Sequence, residues 1–571
     1  MSGAWSGMTG QVLAEHEIYL FFEFDLVAQA QRAHGPRTNP HVDDVRRAAD
    51  MPASHALLVL RGLADVSASG LPADQIEALT QRYGHEHIWE RAVGETGTDF
   101  YPHVRELATG RDAARGTFWK LGERALRVVN SADLYGENVA PAQRVRKHMV
   151  LNLKTRATER LREHGVDGRP LLISLDAVTL HVFPATAKRI VSVRVVAAPG
   201  TGGRTLAPLE LLELQFALAH ANKLDWIAHD GTATDTRPFS LDQLVRCLVG
   251  AMTPADTRRV RSYTYARFET PIAHADADRF GLYLARHYST DYKVAAELAG
   301  VERVRTFETV GHTVSLEGSA TIVAPTPGTG PLPSFLLNYR TNTLRQHYVP
   351  IALLATHELG FLVDRTRRSV MPYHSDDESG QILSNLAALR LEALIFRGCF
   401  RFTQVSHISL HNELNLAFRR ALGLDRMLAE FTADVNDIDA YLRAQSELRK
   451  EEQGRWRTAV GFAAFGGLTA FTIMREVLSA TVHGYEAFVK SGGILRDLRS
   501  TLSAWRDAFP EATSIDLIAV LVGLAIGWWV FHWHLKRTAT EGHAHRSEQG
   551  DEFAERAKDS VLDQTIHSGE R

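Results

Sequence analysis

The chain has 571 residues, 45% hydrophobic and 23% charged, with a formal net charge of −3. That length admits several domains, and the near-neutral balance gives no support to a nucleic-acid partner. Cys247 and Cys399 are the only cysteines, which argues against a disulfide framework or a cysteine-rich zinc site and suits a reducing cytosol.

The N-terminal "MSGAWSGMTGQ" has no basic n-region and no long apolar h-region, so no signal peptide is expected. "IYLFFEF" is a short apolar run broken by an acid and reads as a buried strand within Glu17–Phe24. Residues 1 to about 170 read as mixed α/β, with helices near Pro72–Tyr83 and Ala142–His164. From Leu171 to Ala198, "AVTLHVF" and "RIVSVRVV" flank "PATAK" and predict a β-hairpin. "APLELLELQFALAHANK" follows as a helix with Pro208 near its start. Further strands are expected at Ser262–Phe268 and Thr313–Ala324. "PTPGTGPLP" (325–333) marks a loop and the clearest domain boundary.

Between the hairpin and the helix, "APGTGGRT" (198–205) has phosphate-loop spacing. Gly200, Gly202, Gly203, Arg204 and Thr205 are candidate phosphate-binding residues, because backbone N–H groups there can cradle a phosphate. Arg204 stands where that motif requires lysine, and the preceding strand is half of a hairpin, so an ordinary loop is the competing reading.

After residue 333 the chain turns helical. Phe335 to about Arg368 reads as one long helix, kinked at Pro350, and Gln381–Phe396 as a second. "HSDDESG" is an acidic turn. Asp376, Asp377 and Glu378 there are either a weak divalent-cation site or a solvated loop. A third helix is expected to start near Ile408 and run into the membrane. Along it Ala421, Leu424, Leu428, Phe431, Val435, Ile438 and Leu442 form a seam for an intrachain bundle or for copies of the chain. His357-Glu358 lacks the second histidine of a zincin motif, and His407 with His411 lacks a third ligand.

Two membrane segments are expected. Ile515–Trp533 has the length of a span, with Trp528, Trp529 and Trp533 toward one end and Lys536-Arg537 behind it. The segment from Thr458 is uncharged to Met474 and carries small residues spaced four apart. Basic residues precede the first segment and follow the second, so both termini are expected in the cytosol at an inner membrane. Thr469, Thr472, Glu476, Ser479, His483 and Glu486 continue the first segment at alternating spacings of three and four, in phase with Phe462 and Phe465. The stripe reads either as the wall of a conduit gated by the two phenylalanines or as a solvated face. "ILRDLRSTLSAWRDAF" in the connector has an apolar face suited to a membrane surface or to packing on the protein itself.

A mixed cytosolic domain, a helical pair, a long helix entering the first span and a second span with a basic tail resemble the CorA-like family of metal-ion transporters. The resemblance is one of architecture, mainly over residues 335–540. The family's Gly-Met-Asn signature is absent, and its nearest counterpart is "VHGYEAF" (482–488). The resemblance implies a homopentamer with the first span lining the pore; the missing signature argues against magnesium selectivity.

The expected fold is therefore an α+β cytosolic domain followed by a long-helix stalk and two C-terminal transmembrane helices. Its parts are a cytosolic domain over 1–330, divided near 170, a stalk over 331–457, a two-span hairpin over 458–535 and a polar tail over 536–571. The expected function is an oligomeric, cation-conducting channel or transporter in contact with membrane lipid and gated by the cytosolic domain. The alternative is a ligand sensor or effector, the ligand being a nucleotide, with spans that serve as a tether. No catalytic residues are expected, and a divalent cation and a small regulatory ligand are the candidate small-molecule partners.

Overall fold

The computed structural model describes residues 5–25, 89–131 and 147–434, apart from 95, 113–114, 200–204, 221–222, 229–238, 250–259, 295–299, 329–330 and 371–389, and scattered positions between 436 and 532. The chain divides into two compact units, Met1–Asp437 and Ile438–Arg571.

In chain order, the first unit contains β1 (Leu13–Asp25), β2 (Trp89–Arg91), α1 (Pro102–Thr109), β3 (Thr117–Leu121), α2 (Glu123–Ser131), β4 (Lys147–Leu151), α3 (Thr155–Glu163), β5 (Leu171–Phe183) and β6 (Lys188–Pro199). Then come α4 (Pro208–Ala219), β7 (Lys223–Ala228), β8 (Phe239–Ser240), α5 (Leu241–Leu248), β9 (Arg261–Phe268), α6 (His274–Ala285), β10 (Glu302–Phe307), β11 (Val310–Val314) and β12 (Gly318–Val323). The last are α7 (Ser334–Leu337), a π-helix (Arg340–Tyr348), α8 (Val349–Val370) and α9 (Ser409–Ala421).

The strands form one mixed sheet in the order β10-β11-β12-β9-β1-β6-β5-β4-β7-β8, with β3 on β5 and β2 on β3. Only β12–β9 is parallel among the described ladders. Side chains alternate across a strand, and β1 shows the consequence. Ile18, Leu20 and Phe22 enter one core with Val191, Val193, Val195 and Ile322, beneath α4 and α6. Tyr19 and Phe21 enter the other with Ile190, Tyr263 and Tyr265, beneath α8 and α9. The sheet is covered on both faces, which is why β1 reads as an almost continuous apolar run.

The β5–β6 hairpin and α4 form where the sequence places them. Other expectations are corrected. Residues 147–151 of the expected helix Ala142–His164 are a strand, because "KHMVL" pairs between β5 and β7; the helix begins at Thr155. Thr313–Ala324 is two antiparallel strands rather than one. The helix expected from Phe335 is a short helix, a π-helical stretch and then α8. The helix expected from Ile408 runs to Ala421, breaks at Leu422-Gly423, where Gly423 takes a left-handed φ of 64°, and resumes from Leu424 to residue 434. Leu424, Leu428 and Phe431 of the seam are buried within this chain's own core. Val435, Ile438, Leu442 and the expected helix Pro72–Tyr83 lie outside the described residues.

The expected fold class is corrected as well. Among the described residues no helix is long and apolar enough to cross a membrane, and the structure is dominated by the large mixed sheet. α8 has 22 residues but carries Glu358, Asp364 and Arg365 buried against other elements, so its charges are engaged within the protein. Of Ile515–Trp533 only Ala525, Trp528, Trp529 and His532 are described, all helical, and of the first expected span only Thr458, Val460, Gly461 and Thr472; the rest of both segments lies outside the described residues.

Candidate functional site

An open cleft of about 220 Å³ lies between α3, α4 and the segment 289–292. Asn152, Leu153 and Lys154 come from the residues leading into α3, Arg156, Ala157 and Arg160 from α3 itself, Glu213, Phe216 and Ala217 from α4, and Ser289, Asp291 and Tyr292 from the segment after α6. α3 begins with Lys154 as its N-cap and has no side-chain cap, so its first turn offers unmatched N–H groups at the edge of the cleft.

Arg160 organises the interior. Its guanidinium lies 3.4 Å from Glu213 Oε2 and 2.5 Å from Asp291 Oδ2. Glu213 has a side chain only 2% exposed. It also accepts the Thr290 backbone N–H at 3.0 Å and the Thr290 hydroxyl at 2.6 Å. One buried carboxylate thus ties two helices to the 289–292 segment. A buried charge is tolerated when paired and hydrogen-bonded in this way.

The rim has a different character. Arg156 is 86% exposed and 3.9 Å from Asp291, so solvent screens that pair. Tyr292 is 48% exposed and stacks on Tyr288 at 5.0 Å between centroids. Phe216 stands 6.3 Å from Tyr292, too close for a ring to slide between the two, and packs against His220 at 4.3 Å. Asn152 donates to Asp225 at 2.8 Å and keeps its amide oxygen as an acceptor. The site combines cations and aromatic surface at the rim with a fixed ion pair inside. It can bind; it contains no paired nucleophile and base.

The serine–histidine pairs elsewhere are sealed. Ser262 Oγ is 2.7 Å from His287 Nε2, and Ser406 Oγ is 2.9 Å from His411 Nδ1; all four residues are buried. Burial lowers His287 to about 3 and His411 to about 4, which leaves both rings neutral near pH 7. His411 stacks on His347, whose Nε2 is 3.1 Å from Asp99, while the His407 ring packs on Tyr101. His357 is held by Thr186 at 2.7 Å, and Glu358 pairs with Arg419 at 3.1 Å. Among the described residues no three histidine, cysteine or acidic side chains are arranged to hold a metal. A depression beside His274, Asp278 and Arg305 encloses about 10 Å³, room for no more than a water.

Of the residues expected to form a site, Thr205 is described and exposed, and Thr472 is helical and exposed. Gly200, Gly202, Gly203 and Arg204, the acidic Asp376, Asp377 and Glu378, Phe462 and Phe465, and Thr469, Glu476, Ser479, His483 and Glu486 lie outside the described residues. The strand leading into the 198–205 loop is antiparallel to β5 up to the Pro199–Leu171 pair, unlike the parallel strand that a phosphate loop normally leaves. Sequence reading missed the cleft because its residues are scattered over about 140 positions from 152 to 292. The legible signal was local: the basic, uncapped start of α3 after "NLK". No protein family, curated protein or solved structure with which the chain was compared matches it.

Proposed function

We propose that Met1–Asp437 is a ligand-sensing module and that its small-molecule ligand docks in the cleft between α3, α4 and 289–292. The observation that carries this reading is the cleft itself. It encloses about 220 Å³ and gathers cations and aromatic rings around an ion-paired Arg160. Concave sites with a few convergent polar groups are where small molecules bind. The ligand is a regulatory one, because the histidine–serine pairs that would suit acid–base chemistry are buried away from it. Occupancy has a structural route outward: Asp291 and Thr290 follow directly on α6, and α6 packs on β11 and β12. Ion conduction along the stripe from Thr469 to Glu486 is a separate proposal, and it rests on residues that, Thr472 apart, lie outside the described ones.

A thermal-shift screen of small metabolites on the full chain tests the sensing reading, run in parallel on Tyr292→Ala and Lys154→Glu. Both positions are exposed, so both variants are expected to fold. A ligand of the cleft raises the melting temperature of the wild type and loses that effect in at least one variant. If every stabilising compound acts equally on all three proteins, the reading is wrong.

A further inference from the structure

We propose that His347 and His411 form an acid-sensitive clasp, in which uptake of a second proton by the pair releases residues 97–101 from the lead-in to α9. The segment is fastened by few bonds. The Gly97 N–H donates to the Gln346 carbonyl and the Tyr101 N–H to the Val405 carbonyl, each at 3.1 Å, and the Asp99 carbonyl accepts the His407 N–H at 3.0 Å. Phe100 is buried, with its ring 5.6 Å from His347 and 6.0 Å from His411. The two imidazoles stack on each other at 4.4 Å.

Donor counting fixes how the rings are protonated. The Ser406 hydroxyl gives its one proton to the Asp99 carbonyl at 2.8 Å and accepts the Ile408 N–H at 3.1 Å. Toward His411 Nδ1, 2.9 Å away, it can therefore only accept, so the neutral ring carries its proton on Nδ1 and takes the next one on Nε2. His347 Nε2 donates to Asp99 Oδ2 at 3.1 Å, and its Nδ1 is buried without a partner. A first proton on the pair, at His347, is answered by the Asp99 carboxylate. A second, on His411, meets the first across the stack, and burial already opposes it. The other titratable neighbours are Tyr348 of the π-helix, 5.7 Å from His411, and beyond it His312 of β11 and Tyr339. Burial raises both tyrosine hydroxyls and lowers His312, so none of them supplies a compensating charge near neutral pH. His103 and His407 lie on the exposed side of the segment, against Phe402 and Tyr101. Opening the segment returns His411 to water, where it takes a proton near the ordinary value of about 6.5; in the closed form burial, then His347, lower it to about 4. The closed form is thus favoured in full above about pH 6.5 and loses ground as pH falls toward 4. Release uncouples α1, which begins at Pro102, from the residues that lead into α9.

The test is hydrogen exchange of the full chain at pH 7.5, 6.5 and 5.5, corrected for the intrinsic pH dependence of exchange, in the wild type, His411→Asn and His347→Gln. Asparagine keeps a donor for Ser406 and glutamine keeps one for Asp99, and neither titrates. In the wild type, opening at 97–101 and 405–408 is expected to rise about tenfold from pH 7.5 to 5.5, as one extra proton in the open form requires. It should exceed the opening of β1 at every pH, which marks a local release rather than unfolding of the whole unit. His411→Asn should abolish the rise, and His347→Gln should reduce it. A flat wild-type profile would overturn the clasp. So would a rise that persists in His411→Asn, or exchange that coincides with that of β1 at each pH. If His411→Asn does not fold, His347→Gln decides: a smaller rise supports the pair, and an undiminished one overturns it.

Discussion

The carbonyl of Gln346 accepts the backbone N–H of Gly97 at 3.1 Å. It is open to Gly97 because Pro350, four residues on, has no N–H to return to it at α-helical spacing. The kink that proline predicts is taken up as the π-helical turn Arg340–Tyr348, and the carbonyl left over anchors a loop from the other end of the unit.

Gly97 is held to glycine by that approach. A Cβ there would fall on the His347 ring, which is fixed by Asp99 at 3.1 Å and stacked on His411 at 4.4 Å. Gly97→Ala is therefore expected to cost about 1–3 kcal/mol in chemical denaturation. If the ring is the obstacle, the same substitution made in a His347→Ala background should cost clearly less, which a double-mutant cycle measures. Equal costs in the two backgrounds would place the strain elsewhere.

Lys188 is buried on β6 between Glu23 of β1, at 3.1 Å, and Asp364 of α8. Gly360 lies one turn before Asp364, and a Cβ at 360 would meet the Glu23 carboxylate. Helix and sheet are thus fastened by a cation between two carboxylates, and a glycine makes the space. Lys188→Met should destabilise the protein by about 3–5 kcal/mol near pH 7, because it removes the cation that the two buried carboxylates share. Asp364→Asn in the Lys188→Met background should recover part of that loss, and no recovery would count against the pairing.

Stability should fall on mild acidification. Burial lowers His181, His287, His312 and His357 from the ordinary 6.5 to about 3, and His16 and His411 to about 4. Between about 6.5 and those values the unfolded chain binds protons that the folded chain refuses, so stability rises with pH across that window and levels off above it. Glu358, raised by burial to about 7, acts in the opposite sense between about 4.5 and 7, but it is one group against six. Each histidine contributes on the order of a few kcal/mol over the full window. His312, which meets Thr321 at 2.8 Å and Thr306 at 3.2 Å, gives the cleanest check. His312→Gln should flatten the slope of unfolding free energy against pH between 6 and 4, and an unchanged slope would show that this ring does not titrate as inferred.

The sheet was legible in the sequence where pattern is local. Ile18–Phe24, the 171–199 hairpin and the Pro208 helix start all follow from apolar runs, turn residues and a proline at the first helical position. What failed depended on partners remote in sequence. "KHMVL" became a strand because β5 and β7 flank it, a fact that no window around residue 149 contains. The helix from Ile408 was read through Gly423, since a single glycine within a heptad pattern is tolerated as often as it terminates. The phosphate-loop spacing at 198–205 drew attention to one end of α4, whereas the cleft lies along its other half, at Glu213, Phe216 and Ala217. Glu213 looked like an ordinary charge on a helix; nothing near it in sequence announced Arg160 or Thr290 as its partners.

That carboxylate gives the sharpest test of how the cleft is built. Glu213 fixes the 289–292 segment through the Thr290 N–H and hydroxyl while it neutralises Arg160. Glu213→Gln keeps an acceptor for Thr290 and removes the charge, whereas Glu213→Ala removes both. The glutamine variant should lose about 1–3 kcal/mol and the alanine variant more, since it also leaves a buried N–H without a partner. Asp291 and Tyr292 ride on the same segment, so the two variants should differ in local exposure as well as in global stability. Hydrogen exchange at 289–292 is expected to quicken modestly in the glutamine variant and strongly in the alanine variant. For β1, at the centre of the sheet, it should quicken only as far as the loss of global stability requires. Equal protection of 289–292 in all three proteins would mean that Glu213 stabilises α4 alone and that the wall of the cleft is held by something else.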